Sequence, residues 1–472
     1  MFPTATGGGA SDRTGLEFFS RFAKVHMVGI GGVGMEGLAR ILLQLGCVVS
    51  GSDHEDSVVL EGLRREGITA RCGHAATHVG AADLVIYSAA IPEQNAERAQ
   101  AQRLGVECMG RAQAVGCLLQ GSASIAVAGT HGKTTFASML ASVLNEAGGD
   151  PSMLIGGAVA GRIQAHLGAG RFFISEADEF DRSFLHLKPE VAVVNNVEPE
   201  HLDTYGDVDE LQAAFGQFLS STNGHALVNG DDPGAEGSVS CSQTKVEVVR
   251  FGLRENNDYW ADAIELRGSG ATFALRHNQE SLGTIALSVP GMHNVLNATG
   301  VAATARSLDT PFEAIHRGLG RFGGVDRRLE VKGEVGGVLV MDDYAHHPTA
   351  VRAALDSVAV LERRVVTVFQ PHLYSRTRDF HEEFAAALSA SDVVLLASVY
   401  GSRETPDDGD DSHVIAESMR ASGYGAVEFV AERGELLTRM SQLSQSGDLV
   451  ITMGAGDIGA LADDFLALGG AS

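Results

Sequence analysis

The chain has 472 residues, 44% of them hydrophobic, so it is too long for one hydrophobic core and apolar enough to fill several. At about 150 residues per domain, the length predicts roughly three domains. The formal charge of −25 argues against nucleic acid or an anionic membrane as a partner, because both require a basic surface. Anionic substrates must therefore be bound by glycine loops, a few Lys and Arg side chains, and metal ions.

Cysteine usage and the N-terminal stretch indicate the compartment. The five cysteines are an odd number without C-x-x-C spacing, which argues against a disulfide framework or a zinc site and fits a reducing cytosol. The opening stretch has neither a charged n-region nor an apolar h-region, and no apolar run reaches the ~18 residues of a membrane span. We expect a cytoplasmic protein without membrane insertion, whose residues 1–20 form a disordered extension.

The first predicted domain, residues 21–122, begins with a strand, a glycine turn and a helix. The apolar run KVHMVGI is followed by Gly29, Gly31 and Gly34 in G-x-G-x-x-G spacing, and Asp53 closes the next strand. This pattern is typical of a dinucleotide site. Glycines at a helix N-terminus accommodate any diphosphate, so a UDP-sugar satisfies the pattern as well as NAD does. A tight turn without a ligand is the third interpretation.

The second predicted domain, residues 123–325, opens with the stretch SIAVAGTHGKTT. It departs from the G-x-x-x-x-G-K-[ST] phosphate loop because Val127 occupies the first glycine position. Gly129 compensates, since a shorter turn needs its flexible residue closer to the lysine. Lys133 and Thr134 then begin a helix directly after a strand, which predicts a triphosphate site.

Acidic residues follow the next strand of this domain. The stretch RFFISEADEFDRSF delivers Glu176, Asp178, Glu179 and Asp181 at or beyond the strand end. A carboxylate at such a position commonly joins the loop Thr in binding Mg²⁺. We select Glu176 as the metal ligand and expect the other three to cap the following turn or to face solvent. The next strand leads to VEPEHLD, which places His201 at the same sheet edge as a further candidate ligand.

The third predicted domain, residues 326–472, carries two polar loops, each directly after a strand. The loop in MDDYAHHP contains Tyr344 and His346, and the loop in VFQPHLYSRTRDF contains His372 and Arg376. Ligands of open parallel sheets bind at the carboxyl ends of the strands, so both loops are candidates to face the nucleotide. For any one of these residues, the alternative is that the side chain only holds its loop in place.

Together these motifs resemble the Mur ligases. The stretches that carry the resemblance, from about residue 24 to about residue 460, are GIGGVGM, GTHGKTT, EADEFD, PEHLDTYG, PGMHNVLNA, FGGVDRRLE, DDYAHHPT, FQPHLYSRT and TMGAGDIG. The resemblance implies an α/β fold of three domains: N-terminal Rossmann-like, central P-loop ATPase and C-terminal Rossmann-like. It also implies that the first glycine pattern binds the diphosphate of a UDP-sugar instead of NAD.

The resemblance further implies roles for individual residues. UDP-sugar binding is implied for Gly31, Gly32, Val33, Gly34, Ser52, Asp53 and Ser88, and ATP binding for Gly129, Thr130, His131, Gly132, Lys133, Thr134, Thr135, Asn294, Asn297 and Arg327. Mg²⁺, or Mn²⁺ in its place, would be held by Thr134, Glu176 and His201. Amino-acid binding is implied for Tyr344, His346 and Arg376, and the implied catalytic set is Lys133, Glu176, His201 and His346.

The reaction implied by the resemblance joins L-alanine to the lactyl carboxylate of UDP-N-acetylmuramate during peptidoglycan precursor synthesis. A carboxylate does not condense with an amine in water, so ATP first converts it to an acyl phosphate, with Lys133 neutralising the phosphoryl oxygens. The amine then attacks, and a tetrahedral intermediate expels phosphate. Metal ions reduce the repulsion between the carboxylate and the triphosphate. The expected partners are these small molecules, with the enzyme a monomer or weak homodimer.

Three positions depart from the family pattern: Phe136 and Phe180 replace small polar residues, and Leu373 replaces a common Arg. Leu373 removes one cation from the expected amino-acid pocket and leaves the amino-acid specificity open. A relative that attaches a recycled peptide to the same UDP-sugar is the second interpretation. A catalytically silent nucleotide sensor is the third, and an NAD dehydrogenase would leave the second and third motif clusters unexplained.

Overall fold

The computed structural model describes residues 14–159, 162–402, 404–405 and 411–469. Of the predicted disordered extension, residues 1–13 lie outside these ranges. Residues 14–20 form a helix, Thr14–Ser20 (α1), so the expectation of disorder is wrong there. Phe19 explains the difference, because its ring has no exposed surface and belongs to the core beneath the N-terminal sheet.

The N-terminal sheet is formed by five parallel strands. In chain order its elements are Lys24–Val28 (β1), Val33–Gln44 (α2), Val48–Asp53 (β2), Val58–Arg65 (α3), Thr69–Cys72 (β3), the 3₁₀ helix Ala76–Val79, Leu84–Tyr87 (β4), Ala96–Leu104 (α4), Glu107–Gly110 (β5) and Arg111–Leu119 (α5). The strand order is β3-β2-β1-β4-β5, which is the Rossmann order 3-2-1-4-5-6 without the sixth strand. The predicted glycine turn therefore leaves the central strand, at the carboxyl edge of the sheet.

The central sheet has ten strands and mixes parallel with antiparallel pairs. Its elements are Ala123–Ala128 (β6), Lys133–Glu146 (α6), Ser152–Val159 (β7), Arg162–His166 (β8), Phe172–Ala177 (β9), the 3₁₀ helix Phe180–His186, Val191–Val194 (β10), Leu202–Tyr205 (α7), Val208–Ser220 (α8), His225–Asn229 (β11), Pro233–Cys241 (α9), Val248–Gly252 (β12), Tyr259–Arg267 (β13), Gly270–His277 (β14), Glu280–Leu287 (β15), Met292–Ser307 (α10) and Phe312–Arg321 (α11). The order is β15-β14-β13-β12-β11-β10-β6-β9-β7-β8. Because β6 lies between β10 and β9 and is parallel to both, the segments that follow these three strands meet at one edge.

The C-terminal sheet has six strands, of which only the first runs antiparallel to its neighbour. Its elements are Glu330–Val335 (β16), Val338–Asp343 (β17), Pro348–Ala359 (α12), Val365–Phe369 (β18), Tyr374–Asp379 (α13), His381–Leu388 (α14), Val393–Leu396 (β19), His413–Ala421 (α15), Val427–Phe429 (β20), Arg433–Leu443 (α16), Leu449–Met453 (β21) and Gly459–Ala467 (α17). The order is β16-β17-β21-β18-β19-β20. The two predicted polar loops follow β17 and β18, which β21 separates.

The chain divides into two compact units. The first comprises residues up to 263, 273–285 and 296–322, and the second comprises 264–272, 286–295 and the residues from 323 onward. The first unit contains the glycine turn and the phosphate loop, and the second contains both polar loops. The α/β fold class is confirmed. Among the helices of the described residues, none combines the length and the apolar character that a membrane crossing requires.

Candidate active site

The glycine turn after β1 is held in place by the end of β2. The carbonyl of Ser52 accepts the N–H of Gly29 at 2.8 Å, and the carboxylate of Asp53 accepts the N–H of Gly31 at 2.8 Å. A Cβ atom at Gly31 would lie 2.7 Å from Leu60 Cδ1, so a larger residue does not fit without displacement. The turn expected for a diphosphate is therefore fixed from the neighbouring strand.

Two residues expected to line the UDP-sugar pocket have partners within the protein. The Ser52 side chain has no exposed surface, and its hydroxyl donates to the carboxylate of Glu97 at 2.6 Å. The N–H of Ser88 donates to the carbonyl of Val28 at 3.0 Å, and a Cβ atom at Gly29 would lie 3.1 Å from the Ser88 Cβ. Ser52 thus supports the turn from beneath, whereas Ser88 borders it.

Arg111, the first residue of α5, lies beside the same turn and was not predicted. Helix α2 begins at Val33 after the N-cap Gly32. A Cβ atom at Gly34 would overlap the guanidinium of Arg111, whose Nη2 lies 3.5 Å from Asp178 Oδ2. A cation therefore lies between the glycine turn and the acidic stretch. No local pattern could have identified it, because both contacts join residues that are distant in sequence.

The phosphate loop between β6 and α6 is a tight turn, as predicted. Gly129 and Gly132 adopt φ angles of +143° and +80°, which favour glycine. Asn196 holds the turn: its carbonyl accepts the N–H of Thr130 at 3.0 Å, and its side-chain oxygen accepts that of His131 at 2.7 Å. Gly132 is the N-cap and has no side chain to cap the helix, so the start of α6 is suited to an anion.

Lys133 lies among acidic residues at the start of α6. Its Nζ donates to Glu179 Oε2 at 2.7 Å and to the carbonyl of Gly129 at 2.6 Å. Burial lowers the pKa of the Lys133 ammonium, but the carboxylates of Glu179, Asp178 and Glu176 outweigh this and raise the pKa above its usual value. The ammonium therefore stays charged where the triphosphate is expected.

Glu179 overturns one expectation from the sequence. We expected it to cap a turn or to face solvent, but only 2% of the residue is exposed and it pairs with Lys133. Burial raises the pKa of the Glu179 carboxyl, Lys133 lowers it and Asp178 raises it, with a net upward shift. The hydroxyl of Tyr205 donates to the Glu179 carbonyl at 2.5 Å and anchors its backbone.

The residues predicted to bind metal belong to the end of β9 and to the segments that follow β6 and β10, the three neighbouring strands of the central sheet. Glu176 is half-buried near the end of β9, and its Oε1 accepts the N–H of Gly156 at 3.0 Å. Thr134 is half-buried in the first turn of α6. His201 has a φ of +54°, uncommon for a residue with a side chain, and its ring centroid lies 5.3 Å from that of Phe180. Phe180, one of the departures from the family pattern, thus contacts a predicted ligand.

Two further residues predicted to bind ATP border the phosphate loop. The Asn297 Oδ1 accepts the side-chain N–H of Asn195 at 3.0 Å and lies 3.1 Å from where a Cβ atom of Gly132 would be. Thr135 is buried in the first turn of α6. Phe136, another departure, is fully buried and packs its ring 6.1 Å from that of Phe251, so it belongs to the core.

In the second unit, Arg327 and Asn294 have protein partners. The guanidinium of Arg327 donates to the carboxylate of Asp342 at 2.9 Å and to the carbonyls of Gly454 and Gly456 at 2.7 and 3.1 Å. The side-chain N–H of Asn294 donates to a carbonyl, that of the residue four positions before it, at 2.7 Å. The roles of both residues toward ATP stay predictions.

The loop after β17 brings Tyr344 and His346 together. The His346 Nδ1 lies 2.8 Å from the carbonyl of Tyr344 and donates to it, which leaves Nε2 as the acceptor of the neutral ring. Burial, and then the charge of Arg376, lower the pKa of His346 well below the usual range of histidine. The imidazole is therefore neutral at physiological pH and can accept a hydrogen bond.

The loop after β18 lies against His346. Ring centroids of His346 and His372 are 5.6 Å apart, and the Nη1 of Arg376 lies 3.2 Å from His372 Nδ1. Arg376 is only 7% exposed. Leu373 is buried at a φ of +69°, and its carbonyl accepts the N–H of Thr377. An apolar side chain therefore occupies the position at which the family commonly has Arg.

In comparisons with known proteins, each of the three predicted domains matches a model of the same family. The model of the Mur ligase family catalytic domain matches residues 24–122, that of the Mur ligase middle domain matches 127–305, and that of the Mur ligase glutamate ligase domain matches 327–456. The matched residues include the glycine turn, the phosphate loop and both polar loops.

Individual proteins show the same relationship. The UDP-N-acetylmuramate–L-alanine ligase of Salinibacter ruber is 43% identical over 454 residues, which are 95% of this chain and 95% of the relative. The crystal structure of the UDP-N-acetylmuramate–alanine ligase from Thermotoga maritima has a TM-score of 0.81 at 28% identity, covering 94% of this chain and 98% of that one. A murein peptide ligase from Psychrobacter arcticus has a TM-score of 0.71 at 26% identity, with the same coverage.

Proposed function

The chain belongs to the Mur ligase family, and from this premise we propose that it joins L-alanine to UDP-N-acetylmuramate at the expense of ATP. The observation that supports a phosphoryl-transfer reaction is the position of Lys133. Its charged ammonium lies at the start of a helix and beside carboxylates, where it can bind a transferred phosphoryl group. The names of the relatives indicate the acceptor and the amino acid. The product is a peptidoglycan precursor.

We assign the binding of the three substrates to three domains. Residues 21–122 would bind the UDP-sugar, 123–325 would bind ATP, and 326–472 would bring the amino acid. The three family matches, at 24–122, 127–305 and 327–456, support these boundaries. We place the enzyme in the cytoplasm and expect a monomer or weak homodimer, which sedimentation at micromolar concentration would test.

In the first step, the lactyl carboxylate attacks the γ-phosphorus of ATP, and ADP leaves. The ammonium of Lys133 neutralises phosphoryl oxygens, and the uncapped start of α6 donates N–H groups to the phosphates. Lys133 must exchange its contact with Glu179 for one with phosphate. Arg111, next to the glycine turn, would attract the incoming carboxylate.

The residues around Lys133 fit a divalent cation. Two cations, Lys133 and Arg111, lie beside the three carboxylates of Glu176, Asp178 and Glu179, so the ionised site carries excess negative charge that a bound cation would offset. Carboxylate, hydroxyl and imidazole groups are ordinary ligands of Mg²⁺ and Mn²⁺. We propose Thr134, Glu176 and His201 as ligands. A bound ion would supply charge stabilisation of the phosphoryl oxygens.

In the second step, the neutral amine of L-alanine attacks the acyl carbon and phosphate leaves. Arg376 is suited to the amino-acid carboxylate because its guanidinium is charged and its position is fixed by burial. The neutral ring of His346 would accept a hydrogen bond from the amine and orient it. Tyr344 holds that ring through its carbonyl.

The function is tested by phosphate release from ATP in the presence of UDP-N-acetylmuramate. We expect turnover that depends on L-alanine. Turnover that requires a tripeptide would instead identify a peptide-recycling ligase, and no turnover with either would indicate a nucleotide sensor. Glycine and L-serine are the further single amino acids to compare, because Leu373 changes the expected pocket.

The role of His346 is tested by separating the two steps. His346→Ala should slow amide formation more than acyl-phosphate formation, because the ring contacts only the incoming amine in this proposal. Rapid-quench measurement of both steps provides the readout. Equal loss in both would contradict the assignment.

A further inference from the structure

A fully buried carboxylate, Glu97 on α4, lies behind the glycine turn of the N-terminal sheet. Both Glu97 and its partner His26 have no exposed surface, whereas His74 and His78 have side chains 20% and 19% exposed. The four residues come from β1, α4 and the segment after β3. They link the interior of the sheet to its carboxyl edge.

Both carboxylate oxygens of Glu97 are occupied. Oε1 accepts the N–H of Ala75 at 3.0 Å and lies 3.0 Å from His78 Nδ1. Oε2 accepts the hydroxyl of Ser52 at 2.6 Å and lies 3.1 Å from His26 Nε2. Four groups from four places in the sequence thus converge on one side chain.

These contacts keep Glu97 ionised. Burial raises the pKa of the Glu97 carboxyl, but the hydrogen bonds from His26, Ser52 and the Ala75 amide outweigh it and lower the pKa to about 2. An ionised carboxylate has only acceptor sites. Every group in contact with it must therefore donate a proton.

The ionised state determines which ring nitrogen of each exposed histidine carries the proton. His78 Nδ1 must donate to Glu97 Oε1. Ser52 uses its one hydroxyl proton on Glu97, so His74 Nδ1, 2.9 Å from the Ser52 hydroxyl, must donate to it. When these rings are neutral, the Nε2 of each carries a lone pair and acts only as an acceptor.

The position of the two rings matches the nucleoside end of a bound diphosphate. In this strand order the diphosphate binds the turn after β1, and the ribose follows toward the end of β2. His74 and His78 come just after β3, which neighbours β2 on that side. A base attached to the ribose would therefore extend toward these two imidazoles.

We propose that Glu97 is a positioning residue that fixes the Nε2 atoms of His74 and His78 as acceptors, one of which receives the imide N3–H of the uracil base. Uracil presents a donor at this position, whereas cytosine presents a lone pair that an Nε2 acceptor would repel. Base selection by the UDP-sugar pocket then depends on a carboxylate that the ligand never contacts. This inference rests on the proposed function, which supplies the UDP-sugar.

The test is calorimetric titration of the full chain with UDP and with CDP at pH 8.5, where histidine ordinarily carries one ring proton. The wild-type chain should bind UDP at least about tenfold more tightly than CDP, since one favourable hydrogen bond becomes a repulsive contact. Glu97→Gln should bring this ratio close to one, because a carboxamide can donate to Nδ1 and permit the opposite tautomer. Glu36→Gln is the matched control and should keep the ratio, since Glu36 is a buried carboxylate of the same region paired with Arg40 at 2.8 Å.

A second variant covers the case in which Glu97→Gln does not fold. The double variant His74→Asn, His78→Asn changes two part-exposed side chains and should lose the UDP preference as well. A wild-type chain without preference, or a folded variant of either kind that keeps it, would overturn the inference. Phosphate release by the wild-type chain with UDP-N-acetylmuramate and L-alanine is measured in parallel, and its absence would reject the proposed function instead.

Discussion

Two buried carboxylates of this protein, Glu97 and Glu179, have opposite electrostatic environments. Neither is more than 2% exposed. Glu97 accepts hydrogen bonds from four donors and has a pKa lowered to about 2, whereas Glu179 has one ammonium beside it, a neighbouring carboxylate, and a raised pKa. At Glu97 the hydrogen bonds outweigh burial, whereas at Glu179 burial outweighs the single ammonium, so the balance between donors and desolvation decides whether a buried acid stays charged.

The difference corresponds to two roles. The charge of Glu97 is locked by groups that belong to the fold, which suits a residue that orients others. The partner of Glu179 is Lys133, the residue proposed to bind a transferred phosphoryl group. A carboxylate that already tolerates the neutral form can release that lysine to a substrate at small cost.

The largest effect is expected from removing the ammonium of Lys133, the partner of Glu179. Lys133→Ala should slow L-alanine-dependent phosphate release by about 10³-fold, because the developing charge on the phosphoryl oxygens loses its fixed counter-charge. Lys188→Ala, which alters an exposed lysine of the same domain, is the control and should retain full turnover. A loss below tenfold would show that Lys133 does not contact the phosphoryl group.

The next effect concerns Glu97. A carboxyl with a pKa of about 2 in place of 4.5 contributes about 3 kcal/mol to the free energy of unfolding at neutral pH, and Glu97→Gln should lose it. Because the folded-state pKa is depressed, the contribution is complete above pH 4.5 and disappears as the pH falls toward 2. Histidine ordinarily gains its second proton between pH 7 and 5, so urea unfolding is compared at pH 5, 4 and 3, where the difference between wild type and variant should fall at each step. A difference that grows below pH 5 would contradict the assigned charge state.

An effect of the opposite sign is expected at Glu179. Burial raises the pKa of this carboxyl despite Lys133, so its ionised form opposes folding at neutral pH, and Glu179→Gln should raise the free energy of unfolding by roughly 1 kcal/mol. Asp181→Asn, an exposed acid of the same 3₁₀ helix, is the control for the measurement in urea. A lower free energy of unfolding in the Gln variant would contradict this, and would show that the pair with Lys133 outweighs the cost of burying the carboxylate.

The smallest effect sets the baseline for this comparison. Glu265 pairs with Arg267 at 3.2 Å, but both side chains are about two-thirds exposed, at 69% and 65%. Glu265→Gln should change the free energy of unfolding by less than about 0.5 kcal/mol, since solvent screens the pair. A larger change in urea unfolding would mean that charge removal alone, without burial, explains part of the two effects above.

Local patterns predicted the main elements of the site. The apolar runs before Gly29 and Gly129 are strands, and the residues after each turn begin helices, with Lys133 as the first residue of α6. Strand, turn and helix propensities act within a few residues, so they can be read along the chain. For the same reason the α/β class could be predicted without a structure.

The choice among the acids could not be made locally. One strand end carries Glu176, Asp178 and Glu179, and from the sequence we selected Glu176 as the metal ligand. Glu179 is the acid that contacts Lys133, because the chain turns into a 3₁₀ helix and the Tyr205 hydroxyl holds the Glu179 carbonyl. That geometry depends on α7, which lies more than twenty residues further along the chain.

By itself the sequence determined the fold class, the two glycine turns, and the placement of Lys133, His201 and His346 after strands, because each follows from short-range patterns. The tertiary structure decided which charged groups meet. Glu97 receives hydrogen bonds from residues 71, 45, 22 and 19 positions away. Such contacts depend on the order of strands in a sheet, and burial then gives the resulting charges their strength.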